Sequence, residues 1–260
     1  MFYVIQRNLL NEADFARLVE AVTRYDLDHC FVDIIPFTSS LQEEIEPKQP
    51  CMIFGSTTLA RIASERDWTP GSFLNENHDA RVWIPAYGPH ALNADAIFCT
   101  FGDVPEQWDP FFIRPCLDSK SFTGEVLDRK EFAEWQDKVL RSGATIDGNT
   151  PVMIAEPTQI NAEYRFFIVD GQVITGSIYK LDGRAMTLPW NRNTTVPLDT
   201  DVTEFARERA AQWSPARGYV LDIARTPMGL KVIEINNLNS AGFYKSDISL
   251  ILQAIEVMEW

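Results

Sequence analysis

Lys231-Val232-Ile233-Glu234-Ile235-Asn236-Asn237-Leu238-Asn239-Ser240-Ala241-Gly242-Phe243-Tyr244 is an apolar run that carries a carboxylate and a carboxamide two positions apart, then breaks into a polar, glycine-containing loop. Alternate residues of a β-strand face the same side. Glu234 and Asn236 therefore project together, and Ile233 and Ile235 point the other way, into a core. Two oxygen donors on one sheet face suit a hard cation such as Mg²⁺. Upstream, Tyr219-Val220-Leu221-Asp222-Ile223-Ala224 reads as a second strand, joined to the first through the turn-like Thr226-Pro227-Met228-Gly229. A hairpin centred there brings Asp222 near Glu234, and like charges across a sheet are unfavourable unless a cation or basic group lies between them. The competing reading is a half-exposed sheet whose polar positions are simply solvated.

Outward from this segment, the chain is that of a folded globular protein. Its 260 residues are 45% hydrophobic and 12% aromatic, enough for one large domain or two modest ones. Lys and Arg total 23 against 37 Asp and Glu, a net charge of -14. That balance argues against broad affinity for nucleic acid or anionic membranes, although it leaves room for a local basic pocket. Cys30, Cys51, Cys99 and Cys116 include no C-x-x-C pair, so neither a zinc site nor a disulfide framework is indicated. The start, Met1-Phe2-Tyr3-Val4-Ile5, has no basic n-region, and no apolar run approaches about 18 residues, which leads to the expectation of a soluble, cytoplasmic protein.

The first part alternates strand and helix. Residues 2–5 are a short apolar run, Phe15, Leu18, Val19 and Val22 follow Asn11 at helical spacing, and Cys30–Ile35 returns to strand character. Cys51-Met52-Ile53-Phe54 and a helix through Leu59, Ile62 and Ala63 repeat the pattern, which predicts an α/β domain with a parallel sheet. Gly55-Ser56-Thr57 at that helix start could hold an anion on free N–H groups or serve only as a turn. Residues 65–110 are irregular apart from a strand near Ala96–Cys99. From Phe111 strands and hairpins dominate, with helices near 129–141 and 202–213 and a last one at 247–258 capped by Asp247. The expected division is 1–108 and 109–260.

Several residues could carry chemistry. Phe111-Phe112-Ile113-Arg114 ends an apolar strand in a cation, and Lys120 lies in the loop that Gly124 closes; an Arg and a loop Lys suit phosphate. Asp170-Gly171 joins two alternating strands as a two-residue turn. Pairing outward sets Arg165 opposite Gly176 and Glu163 opposite Ile178, with Glu163, Arg165 and Lys180 on one face. These charges form either surface ion pairs or a nucleotide-facing wall, where Arg165 and Lys180 reach phosphates and Glu163 orients a sugar hydroxyl or a cation. Val152–Pro157 runs out of a strand into a linker whose backbone suits an adenine edge, although Glu156 equally fits an exposed turn. Among motifs, no triad, nucleophile elbow, Walker A or G-x-G-x-x-G occurs, and His29, His78 and His90 are scattered.

In this order, the elements resemble the ATP-grasp superfamily of ATP-dependent carboxylate–amine ligases. The closest likeness is to a compact phage and bacterial branch with F-I-R-P, E-Y-R-F-F and E-I-N-x-x-N-S-A-G-F-Y segments, matched here at Phe112–Pro115, Glu163–Phe167 and Glu234–Tyr244. The resemblance implies an N-terminal parallel-sheet α/β domain, the substrate domain, followed by a two-lobed ATP-grasp fold with mainly antiparallel sheets. It also implies ATP between the lobes, and Mg²⁺ held by Asp222, Glu234 and Asn236. Arg114, Lys120 and Lys180 would contact phosphates, Glu163 would face the ribose, and Ala155 and Glu156 would flank the adenine. Asn239, Ser240 and Gly242 would lie beside the acyl substrate. Larger ligases carry an arginine two residues before the first metal aspartate; Val220 stands there, so Arg165 or Arg184 must supply that charge.

The expected activity is joining a small-molecule or peptide carboxylate to an amine through an acyl phosphate, with Arg165, Lys180 and Arg114 neutralising phosphoryl charge. The alternatives are an ATP-binding regulatory protein without turnover and a kinase acting on a small acid. Selectivity is expected from the first domain and residues 65–110, including Trp83, Tyr87 and Asn93. Ligases of this kind are frequently dimers, which leaves a homodimer open, although no exposed apolar helix marks an interface.

Overall fold

The computed structural model describes residues 1–9, 12–36, 38–117, 121–142, 146–191 and 200–260. β1 (Phe2–Gln6), β2 (His29–Val32), β3 (Cys51–Phe54) and β4 (Pro70–Gly71) form a parallel sheet in the order β2-β1-β3-β4. α1 (Glu12–Arg24) and α2 (Thr57–Glu65) follow β1 and β3, as the 3.6-residue spacing of Leu18 with Val22 and of Leu59 with Ile62 and Ala63 dictates. The Gly55–Thr57 segment works as a turn and cap. Gly55 N–H donates to Asn239 O at 2.9 Å, Ser56 N–H to Gln6 Oε1 at 2.9 Å, and Ser56 Oγ accepts from Leu59 N–H at 3.2 Å.

Residues 65–110 are more regular than their composition suggests. α3 (Ala80–Tyr87), capped by Asp79, turns Trp83, Ile84 and Tyr87 into a core. β5 (Ile97–Thr100), β6 (Phe111–Pro115), β7 (Glu125–Leu127) and β8 (Pro151–Ala155) make an antiparallel sheet in the order β5-β8-β6-β7, so a strand from before residue 108 pairs with one from after it. α4 (Arg129–Ser142) closes that sheet, Phe132 packing edge-on against Phe101 and Phe111.

The largest sheet is antiparallel: β9 (Ala162–Val169), β10 (Gln172–Leu181), β11 (Arg184–Asn191), β12 (Gly218–Thr226) and β13 (Gly229–Asn237), in the order β11-β10-β9-β12-β13. One face packs Tyr164, Phe166, Leu221 and Ile235 against α3 and α5 (Thr200–Gln212). The other face changes chemistry along its length. At one end Phe167, Val169 and Val220 pack beneath α6 (Ile248–Glu256) and the parallel sheet; at the other, the same alternation presents Arg165, Glu163 and Asp222. The buried end anchors the sheet, and the charged end faces a cleft.

Three bulges set the register there. β9 and β10 pair outward from Asp170-Gly171, whose φ values of 45° and 72° fit the expected turn. The simple count fails beyond it, because Ile174 and Tyr179 are each an extra residue on β10. Arg165 faces Ser177 rather than Gly176, and Glu163 faces Lys180 rather than Ile178. Two single-residue insertions restore the parity, so Lys180 stays on the face of Glu163. On β13 the extra residue is Ile233, which lets Asp222 pair opposite Glu234. Ile233 does not enter the core as alternation predicts; it lines the cleft beside Glu234, and Val232 and Ile235 take the core positions. Among the described residues, no helix is long and apolar enough to cross a membrane.

Candidate active site

A cleft of about 1010 Å³ separates the charged end of the large sheet from β6 and β7 of the small one. Glu163, Arg165, Lys180, Glu234 and Asn236 form one wall, and Phe112, Arg114 and Val126 face them. The 156–160 link, Asn93, Asp14 of α1 and the loop from Ala241 to Lys245 complete it.

The charges are paired wall to wall and strand to strand. Arg114 Nη2 donates to Glu234 Oε1 at 2.5 Å, joining β6 to β13 across the cleft. Lys180 Nζ lies 2.8 Å from Glu163 Oε1. Arg165 grips Asp222 with two bonds, Nε to Oδ1 at 2.8 Å and Nη2 to Oδ2 at 2.6 Å. Its third nitrogen, Nη1, donates to Gly242 O at 3.1 Å, and Asn236 Nδ2 adds a bond to Asp222 Oδ2 at 3.2 Å. The Asp222 and Glu234 carboxylates, forced opposite each other, are thus each met by an arginine, which relieves the repulsion. Asp222 is only 1% exposed. Burial lifts its carboxyl above the usual range while Arg165 pulls it back; burial acts to lower the Arg165 guanidinium, but Asp222 outweighs it and holds Arg165 a cation.

An aromatic pair borders these ions. Tyr179, the bulged residue of β10, stacks on Tyr244 with ring centroids 4.8 Å apart and planes 5° apart, and the Arg165 guanidinium lies 5.6 Å and 4.9 Å from the two rings. Burial, with Asp222 and Glu163 nearby, pushes the Tyr179 phenol well above its ordinary range. α1 fixes the loop that carries Tyr244: Arg17 donates to the Tyr244 and Ser246 carbonyls, and Asp14 Oδ2 accepts from Phe243 N–H at 3.3 Å. Sequence reading missed Asp14, Tyr179 and Lys245 as cleft residues. Asp14 and Phe243 are 229 positions apart, and a local window holds no trace of their meeting.

The remaining candidates divide. Glu156 is exposed on the cleft rim, whereas Ala155 is buried at the end of β8. Gly242 lines the cleft and offers its carbonyl to Arg165. Asn239 is 2% exposed and off the cleft wall. Its Oδ1 accepts from Phe73 N–H at 2.8 Å, and its Nδ2 donates to Ile53 O at 2.7 Å, so it brackets the parallel sheet to β13. Ser240 Oγ accepts from Asn237 at 3.2 Å, also away from the cleft. Arg184 is exposed beside the Asp182-Gly183 turn, which leaves Arg165 to meet Asp222. Lys120 lies outside the described residues. Trp83 and Tyr87 are core residues, 1% and 0% exposed, and Asn93 lines the cleft.

The donor set fits a hard cation at the β13 end. Glu234 and Asn236 present oxygen ligands to the cleft. A carboxylate has about four lone-pair sites; Arg165 and Asn236 occupy three on Asp222, leaving one. No group of three or more His, Cys, Asp or Glu placed to hold a metal occurs among the described residues, so any cation here draws on the Asn236 carboxamide or on phosphate oxygens.

The ATP-grasp domain, in the third family of its clade, matches this chain over residues 49–255. Among solved structures, D-alanine–D-alanine ligase from Bacillus anthracis complexed with ATP superposes with a TM-score of 0.64 at 13% identity, covering 98% of this chain and 96% of that one. The ATP-grasp ligase PsnB complexed with a minimal precursor gives 0.59 at 13% identity, covering 98% and 97%. A RimK domain ATP-grasp protein from Sphaerobacter thermophilus gives 0.57 at 13% identity, covering 93% and 92%. No curated protein sequence matches significantly. The likeness shows the fold, an N-terminal parallel sheet leading into the two antiparallel sheets that bound the cleft.

Proposed function

We propose a reaction for a chain that belongs to the ATP-grasp family: the ATP- and Mg²⁺-dependent joining of a carboxylate to an amine through an acyl phosphate. The observation that carries this reading is the convergence, from both antiparallel sheets, of Arg114, Lys180 and Arg165 with Glu234 and Asn236 on one cleft. ATP would lie between the sheets, its base toward Phe112, Val126 and Glu156 and its phosphates toward Arg114 and Lys180. Glu234 and Asn236, with the remaining lone pair of Asp222, would hold Mg²⁺. The chemistry supplied by the bound metal is neutralisation of charge on phosphate oxygens.

In the first half-reaction a carboxylate oxygen attacks the γ-phosphorus and ADP departs. Arg114 and Lys180 meet the charge developing on the phosphoryl and leaving oxygens, which requires each to turn from its present carboxylate partner. In the second, the amine nitrogen attacks the acyl carbon, phosphate leaves and the amine proton is lost. No protein nucleophile is needed. Arg165 positions rather than reacts, tying Asp222 to the loop carbonyl of Gly242 at the acyl end. PsnB is complexed with a peptide precursor, which supports a peptide as well as a small acid as the substrate class. The four free cysteines fit a reducing compartment such as the cytoplasm.

The test is ATP turnover with Mg²⁺ across acids and amines. Ligation is expected to give ADP release that needs both, and hydroxylamine should divert the acyl phosphate to a hydroxamate. A stable phosphorylated acid formed without amine would make the protein a kinase, and tight ATP binding with no turnover across the panel would make it a binding protein.

A further inference from the structure

A second groove, of about 400 Å³, lies between the start of α2 and the turn at residues 75–78, with Leu74 and Leu117 as its apolar walls. Leu117 also lines the main cleft, so the two cavities share a wall. Three features of the groove point the same way.

The first is a helix terminus with donors to spare. Ser56 caps α2 through Leu59 N–H, and Ala60 N–H bonds to Ser56 O, which leaves the N–H groups of Thr57 and Thr58 without a helical acceptor. Both threonines are part-exposed on the groove. The second is Arg61, four residues along on the same helix face, which adds a full charge where the helix dipole is already positive. The third is His78, which lines the groove although it is only 3% exposed. Its Nδ1 accepts from Asn75 N–H at 3.4 Å within the turn's own capping box, which places the ring proton on Nε2. Nε2 has no partner. A buried donor left unbonded costs free energy that a ligand acceptor would recover.

The two carboxylates on the groove do not cancel this. Asp79 is occupied by its own helix, accepting from Arg81 N–H at 2.8 Å and from the Arg81 guanidinium. Glu76 is exposed, on the first turn of the short helix opposite α2.

We propose that this groove is a second ligand site, taking a small anionic group, a carboxylate or a phosphate, on the Thr57 and Thr58 N–H groups, Arg61 and the Nε2–H of His78. The site is separate from the nucleotide cleft and does not depend on the ligase reading. The experiment is an NMR titration of the intact protein with inorganic phosphate and, separately, with acetate, at ionic strength held constant with NaCl. With three histidines in the chain, the imidazole spectrum is assignable. Saturable movement of the His78 Nε2 resonance by either anion is expected, and which anion binds more tightly identifies the group. Thr57→Pro removes one N–H at a first-turn position that tolerates proline, and the extended Ser56, at ψ 165°, suits the residue before it. Thr57→Pro and the half-exposed Arg61→Ala should each weaken binding about threefold or more while leaving the rest of the spectrum in place. No saturable shift with either anion overturns the proposal, as does a shift unchanged in both variants.

Discussion

Glu234 sits where two demands meet, as the partner of Arg114 across the cleft and as the forward carboxylate of the β12–β13 pair. Glu234→Gln keeps the volume and removes the charge. Mg²⁺-dependent ATP turnover is expected to fall on the order of 10²-fold with the unfolding midpoint little changed, because the residue is part-exposed; wild-type turnover would remove Glu234 from the site. Arg165 behaves differently, since its work is done in the interior. Arg165→Met leaves Asp222 buried without its cation and should cost on the order of 3–5 kcal/mol in urea unfolding, much of it recovered in the Arg165→Met/Asp222→Leu double variant. A single-variant loss below about 1 kcal/mol would show that Asp222 is solvated rather than held. At this scale the sequence was partly legible. The residue types at 163, 165, 180, 222, 234 and 236 pointed to anion and cation chemistry, but the partner of each was not readable, because Arg114 and Glu234 are 120 positions apart.

The strands that carry these residues owe their register to turns that local sequence declares and to bulges that it does not. Asp170-Gly171 is declared: both residues take positive φ, and a two-residue hairpin follows. Ile174, Tyr179 and Ile233 have nothing in their neighbours to mark them as extra residues, since a bulge is chosen by the pairing partner and the twist it must follow. Two glycines separate the two kinds of constraint. At Gly171 an added Cβ meets nothing within 4 Å, so Gly171→Ala costs only the left-handed backbone, about 1–2 kcal/mol. At Gly176 the Cβ would come within 2.6 Å of Arg165 O and 2.7 Å of the Phe166 ring, and Gly176→Ala should cost about 2 kcal/mol or more and disturb the Arg165 register. Denaturant unfolding of both variants orders them; a smaller loss at Gly176 would mean that β9 and β10 slide apart readily.

At the scale of the whole molecule, the parallel sheet is fastened to the large sheet by a few buried polar brackets set among apolar contacts. Asn239 is the most connected of them, reaching Phe73 N–H, Ile53 O and, through its own carbonyl, Gly55 N–H. Asn239→Ala strands a buried donor and a buried acceptor and should destabilise the fold on the order of 3 kcal/mol. Hydrogen exchange should then show early opening of β3 relative to β12; uniform exchange across both sheets would argue against a bracket. The sequence by itself determined the alternation of strand and helix, the hairpin turns, the Asp247 cap and the kinds of side chain gathered on β6, β9, β10 and β13. These follow from interactions within about ten residues, where periodicity and turn chemistry act directly. Tertiary structure decided that Asn239 is a bracket and Gly242 a cleft residue three positions on, that Ile233 leaves the core, and that Asp14 and Tyr179 join the cleft. Each of those outcomes depends on which distant backbone comes to lie within hydrogen-bond or packing distance, a property of the folded sheets together and of no single segment.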